Sequence, residues 1–455
     1  MTPIRKALLD RITDPDRAYD TPEAELLPLQ LAAAQELFAQ RLSQIALLRK
    51  RAEDGGITAI RSRQDLLPLL FAHTAYKSYP NAFVEQGRWD RLLQWMQTLS
   101  VADLGNVDLD GVADVDGFLE RLWAAGHGVL ASSGSGGKCS FLNHTEADLA
   151  LKTRHLRHST GWPHATAAQA GARRPLFWLG PIEGFNSAVQ AAQINRANWG
   201  RPGAMHALKT PLRIGEVNAA IAMRRKMADG SATPGEIAAF EAEAAAKAER
   251  GRAELLELAD RVLDHRSEPI MLSGLWAQHM VILQRARERG IGDGSFHPQS
   301  IVMAGGGVKG IALPPDYKEQ VERFYGAVIR PGAYGMTELA QLMPRCEAGR
   351  YHRAPGLLWL VSDERGERLL TREDDADAQG QASGRFAFLD LLYEGRWGGL
   401  ISGDKVSIDF NDRCPCGRHG PTLLDNITRY AANGPDEAIG CAGTIDAYIR
   451  GALTS

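Results

Sequence analysis

GVLASSGSGGK, residues 128–138, is the stretch on which the reading of this chain turns. A short apolar run ends in a loop of glycines and hydroxyl side chains closed by a lysine. Glycines let backbone N–H groups turn toward one centre, small hydroxyls add donors, and Lys138 adds a point charge. Ser132, Ser133, Gly134, Ser135, Gly136, Gly137 and Lys138 are therefore candidates for a polyphosphate cradle. The P-loop NTPase pattern needs a glycine separated by four residues from its Gly-Lys pair and a Ser or Thr after the lysine. Ser132 and Cys139 occupy those anchors, so that pattern fails. A plain Gly/Ser turn is the alternative reading of the loop.

Working outward, the chain changes texture near residue 118. Before it, residues 1–117 read as a mainly helical region. EAELLPLQLAAAQELFAQRLSQIALLRKR (23–51) and RWDRLLQWMQTL (88–99) carry apolar residues at helical spacing. After it, short apolar runs alternate with Gly-rich turns: PLFWLG (175–180), PIMLSGL (269–275), SIVMAGGG (300–307), AVIRPGAYG (327–335), GLLWLVSD (356–363), FAFLDLLY (386–393) and KVSIDF (405–410). Helical stretches separate several of them, which predicts an α/β fold with mixed sheets. Residues 215–266, rich in Ala, Glu and Arg around GSATPGE, read as two solvated helices inserted in this core, with a lid as the alternative.

Composition excludes other classes. With 44% hydrophobic and 24% charged residues, the chain is neither disordered nor fibrous. No apolar run approaches the roughly 18–20 residues of a membrane span. The start, MTPIRKALLDRITDPDR, has no apolar secretory core, so a cytoplasmic protein with no membrane association is expected. The charges nearly cancel, 52 basic against 55 acidic, and no dense basic tract suggests nucleic acid. The five cysteines (139, 346, 414, 416 and 441) are too few and too unevenly spaced for a disulfide framework. Five residues separate Cys346 from His352, and Cys414 and Cys416 sit in CPCGR. Three thiolates and one imidazole make a closed tetrahedral zinc set, against the alternative that small cysteines simply pack in a core.

Two further motifs follow the Gly-rich loop in order: Tyr334-Gly335-Met336-Thr337-Glu338 and Ser402-Gly403-Asp404. With these three, the chain over about 118–450 resembles the adenylate-forming superfamily of acyl-CoA synthetases, adenylation domains and luciferases. The resemblance implies an α/β fold, the large multi-sheet N-terminal domain of such an enzyme, here with an added N-terminal helical region and a core at 118–425. It implies ATP and Mg²⁺ as cofactors and a small carboxylic acid as substrate. Residues 132–138 would hold the β- and γ-phosphates, with Lys138 as their cation. Thr337 would contact the α-phosphate, Glu338 would ligate Mg²⁺, and Asp404 would accept from the ribose hydroxyls. Gly305, Gly306 and Gly307 would let adenine approach the backbone, with Tyr334 stacked near it. A helix-start glutamate and a turn aspartate are the alternatives for Glu338 and Asp404.

The cysteine segments CEAGRYH and CPCGRHGP resemble those of the phenylacetate-CoA-ligase-like branch. This implies a structural zinc joining the segment after 338 to the one after 404. The family pattern adds a small C-terminal domain with an active-site lysine. Here no lysine follows Lys405 and 51 residues follow Asp404, so 426–455 reads as a truncated remnant. Arg429 resembles the ribose-contacting hinge arginine, and Asp436 the hinge aspartate. Chains of this kind resemble luminescence-type acyl-protein synthetases, where a cysteine near the C-terminus carries the acyl group. Cys441 is in place for that role, yet no activating base is near it in sequence, and a buried small residue is the favoured reading. Cys139 reads as packing. Trp178, Phe185, Asn186 and Trp276 are candidates for an acyl pocket, or for core. The acyl acceptor would be CoA, a carrier protein or a partner enzyme. The competing reading is a degenerate adenylating fold that binds an acid with little turnover.

Overall fold

The computed structural model describes residues 1–14, 17–132, 138–164, 172–306 and 312–430, together with the backbone of 437–438. The chain divides into two compact units. One comprises Met1–Leu130, Phe141–Thr166 and Gly332–Ile439, and the other comprises Ala131–Ser140, Ala167–Pro331 and Gly440–Ser455.

The second unit is built on four parallel strands, in the order Gly200–Leu208, Arg174–Pro181, Met271–Leu275 and Ile301–Gly305. A parallel sheet is covered on both faces, which is why PLFWLG and IVMAG are continuous apolar runs rather than alternating ones. The helices start where side chains satisfy the free N–H groups of their first turns. Asn186 caps Ser187–Trp199, and Thr233 with Glu236 forms a capping box on the long helix Pro234–Asp264, with Pro234 at its first position. That helix and Ile214–Ala228 are the two helices expected between 215 and 266. The long one buries Leu255, Leu258, Ala259 and Val262 with Phe177, Leu272 and Phe324 in one core.

The first unit is built on antiparallel strands. Leu357–Ser362, Gln381–Asp390, Gly399–Asp409 and Thr422–Leu424 pair in turn, followed by Arg350–His352, Met343–Arg345 and Gly332–Tyr334. Leu357–Ser362 is buried along its whole length. The helix Glu23–Arg41 lays Leu26, Ala33, Ala34, Leu37 and Phe38 on the core formed by this sheet. Gln30 fixes the contact by donating to the carbonyls of Pro355 and Leu357 at 2.9 and 3.1 Å. The N-terminal residues are stitched in further by the fully buried Arg5, which donates to the carbonyls of Leu391 and Tyr393. The strand Gly399–Asp409 is shared most widely: it also pairs with Phe71–Ala72 in parallel and with Thr428–Arg429. No helix among the described residues is long and apolar enough to cross a membrane.

Candidate functional site

Asp404 lies mid-strand in Gly399–Asp409, directly opposite Arg429 in an antiparallel pair. Strand alternation turns its carboxylate to the side where Tyr334 arrives, and the Tyr334 hydroxyl donates to Asp404 Oδ2 at 2.7 Å. Arg429 Nε stands 3.9 Å from Asp404 Oδ1. Ser402 braces the motif: its hydroxyl accepts from the Asp404 N–H at 3.1 Å and donates to the Phe386 carbonyl at 2.7 Å. Gly403 leaves room between them, since a Cβ there would sit 3.3 Å from Arg429 Nε and 3.6 Å from His73 Nε2. Asp404 is 8% exposed. Burial raises its pKa above the ordinary carboxylate value, opposed by the Tyr334 hydroxyl, Arg429 and Arg385. The structure brings together Asp404 and Arg429, expected at the ribose, and Tyr334, expected at the adenine. The Tyr334 ring packs 5.5 Å from Phe386 and 6.0 Å from Tyr351.

His73 and Arg385 are site neighbours that sequence reasoning missed. His73 donates its backbone N–H to Ile401, and Arg385 gives Nη1 to the Ser402 carbonyl at 3.1 Å. The His73 imidazole is pushed down to about 4 by burial and by Lys77, Arg429 and Arg385. Arg385 also lies 4.4 Å over the Tyr430 ring.

The rest of the second motif follows the strand Gly332–Tyr334. Gly335 has no space for a side chain, because a Cβ there would meet the Leu342 side chain. Met336 packs on the core, and Thr337 and Glu338 are half-buried. Burial raises the Glu338 pKa; its own backbone N–H and Arg396 oppose the rise, and Asp404 adds to it. Glu338 and Asp404 are thus within electrostatic reach of each other. Arg396 holds the turn by donating Nη2 to the Glu338 carbonyl at 2.8 Å.

In the same unit, Cys346, His352, Cys414 and Cys416 bring one ligand atom each within 4.8 Å of all the others. Two tight turns present the thiols. The Gly349 N–H bonds to the Cys346 carbonyl and the Gly417 N–H to the Cys414 carbonyl, with both glycines at positive φ. Cys346 Sγ and Cys414 Sγ lie 3.8 Å apart, and Cys416 Sγ and His352 Nε2 lie 3.5 Å apart. Four ligands at about 2.0–2.3 Å from one ion in tetrahedral array give separations of this size. His352 Nδ1 meets the Tyr19 carbonyl at 3.1 Å, which leaves Nε2 to face the cluster. The hydrogen bond with Cys414 lowers the Cys346 thiol from its ordinary value and raises Cys414 in turn. Three sulfurs and an imidazole nitrogen this close form a donor set that fits one cation.

In the second unit, Ser132 and Ser140 close the ends of the Gly-rich loop. The Ser132 N–H donates to the Ser140 carbonyl at 2.9 Å, and the Ser140 N–H donates to Ser132 Oγ at 2.8 Å. Lys138 is half-buried, and Cys139 is fully buried, as its packing role requires. Ser133, Gly134, Ser135, Gly136 and Gly137 lie outside the described residues, as do Gly307, Asp436 and Cys441. Gly305 ends its strand with open space where a side chain would be, and Gly306 follows at φ +78°. Both stand at the carboxyl end of the parallel sheet, the edge where such sheets take ligands. Asn186 serves the fold, because its side chain donates to the Ala131 carbonyl and caps the next helix.

Comparison with solved structures places the fold. A structure of 2-hydroxyisobutyryl-CoA ligase in complex with 2-HIB-AMP and CoA, in the thioesterification state, aligns with a TM-score of 0.54 at 13% identity, over 90% of this chain and 69% of that one. Its open conformation with the same ligands gives 0.52 at 12% identity, over 92% and 79%. The postadenylation state with 2-HIB-AMP gives 0.52 at 13%, over 93% and 72%. No family model and no curated protein matches the sequence. The fold is the mixed α/β fold of the N-terminal domain of adenylate-forming ligases.

Proposed function

We propose that this chain activates a small carboxylic acid with ATP. A carboxylate oxygen attacks the α-phosphorus, the bond to the β-phosphate breaks, and pyrophosphate leaves an acyl-adenylate. The acyl group then passes to CoA, a carrier protein or a partner enzyme. The observation that carries this reading is the buried Tyr334–Asp404 hydrogen bond with the partly exposed Arg429 beside it and Glu338 in electrostatic reach.

In this reading Asp404 accepts from both ribose hydroxyls, and the hydroxyl of Tyr334 keeps its carboxylate aimed. Arg429 supports the ribose. Glu338 offers a hard oxygen that would hold Mg²⁺, which would supply positive charge to the phosphate oxygens. Thr337 lies beside it for the α-phosphate. Residues 132–138, with Lys138, are proposed for the β- and γ-phosphates, and Gly305–Gly307 for the adenine. Cys346, His352, Cys414 and Cys416 are proposed to hold a structural zinc; with four protein ligands it has no open position and no part in the chemistry. The phenylacetate-CoA-ligase-like branch, a cytoplasmic location and a place in secondary metabolism belong to the same proposal.

Pyrophosphate exchange across a panel of aliphatic and aromatic acids tests it. Exchange dependent on one acid and on Mg²⁺ is expected. Acid binding without any exchange would leave an acid-binding protein on an adenylating fold.

A further inference from the structure

The helix Glu146–Ser159 carries Asp148, Lys152 and His155 on one buried face, at i, i+4 and i+7. The outer two show what that face meets. Asp148 accepts from the N–H groups of Glu394 and Gly395 at 2.7 and 3.1 Å, and His155 Nε2 meets the Leu342 N–H at 2.7 Å. Lys152 lies between them, so it looks onto the segments 338–342 and 390–396. It is 6% exposed, and among the described residues its ammonium makes no hydrogen bond or ion pair.

The carboxylates nearby are already occupied. Asp148 also accepts from Thr145 N–H, and Asp390 accepts from Ala340 N–H, Gln341 Nε2 and Leu392 N–H. Donors are left unsatisfied here, alongside His144 Nε2, the Tyr393 hydroxyl and Glu394 Oε1, the last ion-paired to Arg5 at 3.1 Å. Besides Lys152, the fully buried Arg396 has no hydrogen-bond partner at Nε or Nη1. A buried cation without a contact anion is costly, and an entering anionic oxygen relieves that cost. Glu338 is in electrostatic reach of Lys152 on one side and of Asp404 on the other. If Asp404 holds the ribose, the anion one bond beyond it is the α-phosphate.

We propose that Lys152 is a phosphate-binding residue, its ammonium meeting an α-phosphate oxygen of the bound nucleotide beside the Thr337–Glu338 turn. This rests on the adenylate-forming reading. Charged groups facing Lys152 are Arg396 and Asp390 from the 390–396 segment, Glu338, and Asp148 on its own helix; His144 and His155, both held neutral by burial, complete its surroundings. Burial and Arg396 bring the lysine down to about 7, so its charge changes across neutral pH.

Calorimetric titration with AMP and with adenosine tests this, because the two ligands differ only in the phosphate. The parent protein should prefer AMP. Lys152→Met should cut that preference by ~10-fold or more, the worth of one charged hydrogen bond, and leave adenosine affinity unchanged. Lys152→Arg, charged throughout, should keep the preference and hold it level between about pH 7.5 and 9, a window above the second ionisation of the phosphate at about pH 6 in which the parent's preference declines. An unchanged AMP-to-adenosine ratio in folded Lys152→Met overturns the assignment. So do identical pH profiles for the parent and Lys152→Arg, a comparison that stands even if the Met variant does not fold. A parent that binds neither ligand overturns the nucleotide reading as a whole.

Discussion

Tyr334 and Asp404 are 70 positions apart in the chain and joined by one hydrogen bond of 2.7 Å. The bond ties the start of one motif to the end of another, and it is buried at both ends. A buried carboxylate with one neutral donor and an arginine at 3.9 Å retains accepting capacity, which is what recognition of a diol requires.

Asp404→Ala should abolish ATP binding while the protein still folds. Stability should drop by about 1–3 kcal/mol, because the Tyr334 hydroxyl is left buried without its acceptor. Titration calorimetry together with a thermal melt checks both parts. Retained ATP affinity would remove the ribose assignment.

Glu338→Gln keeps the size of the side chain and removes its charge. Half-saturation of pyrophosphate exchange by Mg²⁺ should move to ~10-fold higher concentration or beyond, since the ion prefers an anionic oxygen. An unmoved Mg²⁺ curve would place the ligand elsewhere.

Protein purified without chelator should carry about one zinc per chain. Cys416→Ser should release it and lower the melting temperature, and chelation of the parent should do the same. His352 holds the Tyr19 carbonyl through its other ring nitrogen, so metal loss should also speed proteolysis between residues 13 and 22. Elemental analysis that finds no metal would return the cysteines to core packing.

Gly306→Ala should destabilise by about 1–3 kcal/mol. Its φ is +78°, and a Cβ there would stand 2.5 Å from Leu275 Cδ2. Urea unfolding measures the effect, and Gly305→Ala, which meets open space, is the matched control.

His279 gives a pH signature. Its imidazole bonds to the Tyr325 hydroxyl at 2.8 Å and is pushed down to about 4 by burial, from an ordinary value near 6.5. Between those values the unfolded chain binds a proton that the folded chain refuses. Stability should therefore fall as the pH drops from about 6.5 to 4, by ~1.4 kcal/mol per pH unit for this group, with no slope from it above 6.5. Urea midpoints at pH 7 and 5 should converge for His279→Asn relative to the parent. Equal slopes would show that the folded imidazole takes up its proton normally.

How much of this was legible in the sequence depended on chemistry confined to short stretches. The α/β fold could be read from apolar runs broken by glycines, because parallel strands covered on both faces have no choice but to be apolar. The Cys/His cluster could be read because cysteines are few and four ligands of two types fall in two short segments. Tyr334 was expected against adenine; the structure shows its hydroxyl on Asp404 and its ring among Phe386 and Tyr351. Lys152 and Arg396 escaped notice for a physical reason. Lysine and arginine are almost always solvated, so a helix face bearing Asp148, Lys152 and His155 reads as its wet side. Only the backbone groups of 342 and 394–395, distant in sequence, show that the face is dry. His73 and Arg385 stand beside Asp404 through strand pairing, for which no local pattern exists.

The strand Gly399–Asp409 is hydrogen-bonded to four others. Its amides should be among the last to exchange with deuterium, because freeing them requires breaking several ladders at once. The carboxylate at its centre is therefore a fixed post. Whatever opens to admit or release a nucleotide must do so while Asp404 stays still.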